Sequence, residues 1–205
     1  IETENLNYGE QDIAFCYVRC EDEDLISQAE ELEKEGLNGV EIFNQIGVYK
    51  NVFGEWAESI DLGRYRFYPY GNHSTGYNLI KKSNHIEGRL RDIVIWPELY
   101  EKFPEFEDVK IVIKPSDFAY DKTKFIPDEN GAKIIINQKL CDDYVTGEDY
   151  IAKEEMVKAI QHMIQFKEGN YVGRSYDYWK DLEAKGKLPY LEKKGRYITA
   201  DEMMH

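Results

Sequence analysis

The sequence has no long hydrophobic run. Its uninterrupted apolar stretches are a few residues long, far short of the roughly 18 residues that a membrane-spanning helix needs. The first ten residues are polar and acidic, whereas a secretory signal begins with basic residues and continues with an apolar segment. We therefore expect neither a membrane span nor a signal peptide in these residues, and we expect a cytoplasmic location. The chain begins with Ile1 and not with Met, which is compatible with a longer precursor.

The chain is also poor in positive charge. It has 26 Lys and Arg against 40 Asp and Glu, which gives a formal net charge of −14. Direct binding to a nucleic-acid backbone needs a basic stripe that displaces counterions, so we do not expect it here. The charge fits a protein partner with a basic surface, or a protein that mimics the charge of DNA. Solubility alone is the simplest explanation of the same charge.

Cysteine is scarce, with only Cys16, Cys20 and Cys141 in 205 residues. Their number is odd, none of them forms a CxxC pair, and none has a His nearby at ligand spacing, which favours core residues over metal ligands. Cys16 and Cys20 are four residues apart in an apolar segment typical of a strand, and their side chains therefore lie on the same face. We expect reduced thiols that belong to the core.

The hydrophobic periodicity predicts an α+β protein. Its N-terminal half predicts a strand at residues 12–19, an acidic amphipathic helix at 21–35, a short helix from 38 that ends near Gly47, and two strands within 55–68 around a turn at 61–63. Glycine, asparagine and serine are frequent in residues 70–88, which predicts the longest loop of the chain.

The C-terminal half contains the strongest helix signal. The pattern predicts a helical turn from Pro97 to Phe103, strands at 109–113 and 133–137, a long helix at 147–167, and further helix at 171–185. The apolar stripe of the long helix consists of Ile151, Met156, Val157, Ile160, Met163, Ile164 and Phe166. We expect residues 1–88 to form a strand, helix and hairpin region of one domain, 89–185 its core, and 186–205 a tail.

Three segments of this core resemble a known family. They are LRDIVIWPELYEKFPEFEDVKI, GAKIIINQKL and MVKAIQHMIQFKEGN, all within residues 89–170, and looser matches extend the resemblance to about residues 42–185. The chain resembles the zincin-like metallopeptidase domain of the large polyvalent proteins of phages and conjugative elements. The resemblance implies a small mixed or antiparallel sheet, with 133–137 as its edge strand, packed against the helix at 147–167, with additional helices at both ends.

The metal motif of that family is degenerate in this chain. An HExxH helix places two His four residues apart as zinc ligands, with a Glu as the general base. The corresponding residues are Lys158, Ala159 and His162, so one ligand and the base are lost. Because a charged Lys has no lone pair and Ala moves no proton, no catalytic residue is expected.

A third family ligand corresponds to Glu183 or to Asp181. His162 and one carboxylate make a weak zinc site, so we expect no cofactor and treat residual zinc at His162 and Glu183 as an open alternative. A salt bridge between Lys158 and Glu183 in place of the metal is a further possibility. His162 itself is most simply a histidine on the polar side of a half-buried helix.

The predicted function is a catalytically inactive, zincin-like module that binds or scaffolds a protein. Tyrosine and tryptophan are favoured at interfaces, so Tyr171, Tyr176, Tyr178 and Trp179 are a candidate binding surface, although packing over the core explains them equally. Two alternatives stay open. One is an acidic inhibitor or DNA mimic, and the other is an enzyme that uses Lys158 and His162 as acid and base, which requires a buried Lys158.

Overall fold

A computed structural model of the chain describes residues 16–51, 54–115, 123–126 and 132–169, together with residues 180, 183–186, 190–191, 195–197 and 199. The fold is α+β, and its contacts divide the chain into two units. The first unit contains Tyr17–Ser59 and the described residues from Ile164 onward, and the second contains Cys16 and Ile60–Met163. Within the described part of the chain, every helix is too short or too polar to cross a membrane.

Two well-capped helices form much of the first unit. Helix α1 (Glu23–Lys34) begins at Asp22, whose carboxylate accepts hydrogen bonds from two backbone N–H groups of the first turn. Helix α2 (Gly39–Ile46) begins with a reciprocal pair of hydrogen bonds between Asn38 and Glu41, and it ends at Gly47, whose φ of 76° suits glycine. Both predicted helices are confirmed, because their start and stop signals are local in the sequence.

The first unit also contains a three-stranded sheet. Its strands are β1 (Cys16–Arg19), β2 (Val48–Lys50) and β3 (Trp56–Ile60), in the order β1-β3-β2. A core cluster of Cys20, Ala29, Ile42, Val48 and Trp56 is flanked by the partly buried residues Leu25, Ile26, Leu32, Leu37 and Ile46. Cys16 and Cys20 are both buried and unbridged, as predicted for core thiols.

A five-stranded mixed sheet forms the centre of the second unit. Its strands are β5 (Ile80–Lys81), β6 (Ile86–Arg89), β8 (Lys110–Lys114), β9 (Thr123–Ile126) and β10 (Lys133–Asn137), in the order β5-β6-β8-β10-β9. Strand β10 runs parallel to β8 and antiparallel to β9. Ile134 pairs with Ile111 and Ile136 with Ile113, and all four side chains are buried, so one face of the sheet is covered.

Three sequence predictions about strands are wrong. The segment KIIIN forms β10, which lies between β8 and β9, and it is therefore an inner strand and not the edge. The long loop predicted at 70–88 contains the antiparallel pair β5 and β6. The two strands predicted within 55–68 are present, but they do not pair as a hairpin, because β3 belongs to the first unit's sheet whereas β4 (Arg66–Phe67) pairs with β7 (Val94–Ile95).

The helices of the second unit also differ from the prediction in part. Helix α3 (Pro97–Lys102) begins at proline as expected. The predicted helix at 147–167 is shorter, because α5 spans Ile151–Lys167 and the preceding residues form a separate, unpredicted helix α4 (Gln138–Thr146). Gly147 ends α4 with a φ of 79° and does not begin α5. The apolar stripe of α5 is buried except for Ile151, which is partly buried, and Phe166, which is exposed.

Near the C-terminus, the described residues include a short antiparallel pair of strands. These are β11 (Tyr190–Leu191) and β12 (Arg196–Tyr197). Most of the helix predicted at 171–185 lies outside the described residues, although residues 180 and 183–184 are helical.

Candidate functional site

Helix α5 carries the three positions that the resemblance assigns to a metal motif. The ammonium nitrogen of Lys158 lies 3.2 Å from Oε1 of Glu155, one turn earlier on the same helix, and the Lys158 side chain is 31% exposed. Ala159 is buried, and His162 is partly buried one turn beyond Lys158. The first ligand position therefore holds a paired cation and the base position a buried methyl group, so this set does not fit zinc.

The other predicted site residues are only partly described. Glu183 accepts a hydrogen bond of 2.9 Å from the ammonium of Lys180. The carboxylate that pairs with Lys158 belongs to Glu155. Asp181 and the candidate binding surface of Tyr171, Tyr176, Tyr178 and Trp179 lie outside the described residues. Among the described residues, no three His, Cys, Asp or Glu side chains are grouped so that they could hold a metal ion.

A group of aromatic and apolar side chains, of which Tyr70 and Tyr144 are partly buried and Val145 and Tyr150 are exposed, lies near the end of α4. We call Tyr70, Tyr144, Val145 and Tyr150 the tyrosine patch. The ring of Tyr144 lies 6.0 Å from that of Tyr150 in an edge-to-face arrangement and 5.2 Å from that of Phe67, which is buried. Val145 is 61% exposed and Tyr150 65% exposed. The patch therefore rests on the buried Phe67 and presents its outer members to solvent.

Carboxylates border the tyrosine patch. The hydroxyl of Tyr70 donates a short hydrogen bond to Oδ1 of Asp142, and burial together with this bond raises the pKa of Tyr70 above its ordinary value. Asp143 pairs with Lys139 at 2.8 Å, whereas Glu148 is exposed beyond the end of α4. Asp149 accepts a 2.6 Å hydrogen bond from the N–H of Ile151 and so supports the start of α5.

A polar cleft of about 420 Å³ lies beside strands β6 and β8. It is lined by Asn78, Ile80, Glu87, Gly88, Arg89, Arg91, Asp92, Asp108 and Lys110. Hydrogen bonds from His85 and Lys110, at 2.9 and 3.0 Å, lower the pKa of Glu87 to about 2. Arg89 pairs with Asp108 at 2.9 Å. A charged ligand would have to separate these pairs, so the cleft is a weaker candidate site than the tyrosine patch.

The first unit has its own cluster of charged side chains. Arg19 donates one hydrogen bond to the carboxylate of Glu55 and another to the backbone carbonyl of Glu168, each of 2.9 Å. The backbone N–H of Arg19 donates to the Glu168 carboxylate at 2.5 Å, yet burial raises the pKa of Glu168 above its ordinary value. These bonds join residues that are far apart in the sequence. We therefore assign a structural role to this cluster.

Comparison of the chain with protein-family models, with curated proteins and with solved structures finds no match. Membership of the zincin-like family therefore stays a prediction from the three sequence segments.

The sequence analysis missed the tyrosine patch. Tyr144 and Tyr150 flank Gly147, which we interpreted as the start of one long helix and which in fact ends α4. A signal was present in the sequence, because residues 140–152 contain two tyrosines and four carboxylates but no Lys or Arg. Tyr70 comes from a segment that is distant in sequence, and no local pattern predicts its hydrogen bond to Asp142.

Proposed function

We propose that the chain is a non-catalytic, zincin-like domain that acts as a protein-binding or scaffolding module. The observation that carries the proposal is the state of the degenerate motif on α5. Lys158 is occupied by an ion pair with Glu155, and Ala159 is buried, so neither position is available for the chemistry of an HExxH helix.

The order of elements supports the zincin-like part of this proposal. Strand β8, strand β10 and helix α5 follow one another in the order that the resemblance implies, and β10 belongs to a mixed sheet. Helix α4 is an addition between β10 and α5, and the inner position of β10 is a departure from the expected edge strand.

The charge and the exposed side chains support the protein-binding part. A net charge of −14 favours a basic partner and opposes a nucleic-acid backbone. Among the described residues, large apolar or aromatic side chains such as Tyr77, Val145 and Tyr150 are more than half exposed. Aromatic side chains of this kind are enriched at protein interfaces.

The enzyme alternative has less support. A Lys that acts as a general base must be desolvated so that it is neutral near pH 7. Lys158 is instead paired with a carboxylate and partly exposed. The acidic-inhibitor alternative has one observation in its favour, because the exposed residues of α1 include Glu23, Asp24, Glu30 and Glu31.

Metal content and activity test the proposal together. We expect elemental analysis of the purified, untagged protein to find no stoichiometric zinc, zinc to leave its melting temperature unchanged, and peptidase assays with added zinc to find no activity. The control is Lys158→His, which places a second imidazole four residues before His162 and should gain zinc-dependent stabilisation. One tightly bound zinc per wild-type chain, or zinc-dependent proteolysis, would overturn the non-catalytic assignment.

A further inference from the structure

We infer that the tyrosine patch is a docking site for an arginine-rich segment of a partner polypeptide. This inference rests on the protein-binding part of the proposed function and specifies its surface and the chemistry of its partner. It is carried by the exposure of Val145 and Tyr150, by the edge-to-face contact of Tyr144 with Tyr150, and by the carboxylates at the border.

The geometry of the patch favours a flat, extended ligand group. Single exposed apolar side chains are normal on protein surfaces, but here the ring of the exposed Tyr150 contacts that of Tyr144, and the exposed Val145 follows Tyr144 in the chain. Tyrosine combines a large contact area with few rotatable bonds, so its immobilisation on binding costs little entropy. The contact of Tyr144 with Phe67, which is buried, holds the patch in place before a ligand arrives.

The electrostatics of the patch favour a cation. Residues 139–153 contain four carboxylates against two lysines, Lys139 and Lys153, so the segment carries a net negative charge. Lys139 interacts electrostatically with three of these carboxylates, Asp142, Asp143 and Glu148. Asp143 is paired with Lys139, and Asp149 accepts a hydrogen bond at the start of α5. Asp142 accepts a hydrogen bond from Tyr70, whereas the side chain of Glu148 is exposed, where a cationic group of a ligand can meet it. The hydrogen bond from Tyr70 fixes the Asp142 carboxylate at the border of the patch.

Arginine fits this combination better than lysine does. A guanidinium group stacks on an aromatic ring through its flat face and also donates paired hydrogen bonds to a carboxylate. The ammonium of lysine is a more strongly hydrated point charge and gains less from either contact. A second copy of this chain is disfavoured as the occupant, because each copy carries a net charge of −14. The phosphates of a nucleic acid are disfavoured for the same reason.

The test compares the binding of two fluorescent peptides of equal length, oligo-arginine and oligo-lysine, to the full chain by anisotropy. We expect oligo-arginine to bind several-fold more tightly at the same salt concentration. Tyr150→Ala should weaken its binding about threefold, as expected for the loss of one cation–π contact at an exposed site. Tyr150→Phe should retain wild-type affinity, because it keeps the ring. Glu148→Gln should weaken the binding of both peptides.

The matched control is Tyr77→Ala. Tyr77 is 66% exposed, nearly the same as Tyr150, and lies in a different segment, so its loss removes an equal ring without touching the patch. The inference is overturned if Tyr77→Ala and Tyr150→Ala weaken binding equally, or if both peptides bind wild-type protein with the same affinity. It is also overturned if the double variant Glu30→Gln, Glu31→Gln on α1 weakens the binding of oligo-arginine more than the patch variants do.

These outcomes are distinct from a failure of the proposed function. A protein without zinc that binds oligo-arginine elsewhere refutes the docking site and leaves the non-catalytic binding module intact. Stoichiometric zinc with peptidase activity refutes the non-catalytic assignment, whatever the peptides do.

Discussion

Helix α5 and the tyrosine patch differ in the burial of their side chains. Ala159, Ile160 and Met163 of α5 are almost completely buried, whereas Val145 and Tyr150 of the patch are largely exposed. The motif that suggested chemistry therefore lies on a helix whose apolar face is largely buried. The large apolar and aromatic side chains that are most open to solvent in this part of the chain lie at the end of α4 and just beyond it, where the sequence offers no catalytic motif.

This contrast separates positions that serve packing from positions that are open to solvent. A buried position is constrained by volume and by the cost of desolvation, so an alanine at position 159 is explained by packing alone. An exposed tyrosine makes few contacts with the core, so its replacement lowers the stability of the protein only a little. Stability measurements should therefore respond to α5, and binding measurements should respond to the patch.

The largest effect is expected from Ala159→Glu, which introduces the glutamate of an HExxH motif at this position. The new carboxylate would be buried in a close-packed environment, and we expect a loss of about 4 kcal/mol or more at neutral pH. Urea unfolding at pH 7 measures it. Ala159→Gln is the control, since it adds a similar volume without a charge and should cost less.

The difference in stability between Ala159→Glu and Ala159→Gln should depend on pH. Burial raises the pKa of the introduced carboxyl above its unfolded value near 4.3, so the folded state binds more protons than the unfolded state above that pH. The penalty of the Glu variant relative to the Gln variant therefore vanishes below about pH 4 and grows as the pH rises. Equal stability of the two variants at pH 7 would mean that position 159 is accessible to water.

A smaller loss is expected from Ile160→Ala in α5. Ile160 is fully buried, and removing its branched side chain leaves a cavity that should cost about 2 to 4 kcal/mol. Val145→Ala in the patch removes apolar atoms from a largely exposed residue and should change stability by less than about 0.5 kcal/mol. Chemical denaturation measures the free energy of unfolding of both variants. Similar losses for Ile160→Ala and Val145→Ala would contradict the contrast between the two regions.

Local signals explain why much of the fold was predictable. Helices α1 and α2 have their caps, Asp22 and Asn38, immediately before an amphipathic pattern, and Gly47 immediately after one. The strands β8 and β10 have alternating or continuous apolar residues. The predictions that failed concern features that depend on residues distant in sequence. The position of β10 between β8 and β9, for example, is set by strand pairing, which no local sequence pattern predicts.

The candidate site was less predictable than the fold. The sequence identified Lys158, Ala159 and His162 as degenerate positions, but it did not reveal that Glu155 is the partner of Lys158. Salt bridges one turn apart compete with distant ones, and the nearer carboxylate is available without loop-closure cost. The tyrosine patch required both the end of α4 at Gly147 and the approach of Tyr70, which are features of tertiary structure.

A smaller loss than that of Ile160→Ala is expected from Tyr70→Phe at the border of the patch. The change removes the hydroxyl that donates to Asp142, and we expect a loss of about 1 kcal/mol at pH 7. Because the pKa of Tyr70 is raised in the folded state, its contribution is complete below the ordinary value near 10 and is lost as the pH rises above it. The difference between wild type and Tyr70→Phe in urea unfolding should therefore shrink above pH 10. Tyr77→Phe is the control, and an equal loss there would assign the effect to tyrosine hydroxyls in general and not to the bond with Asp142.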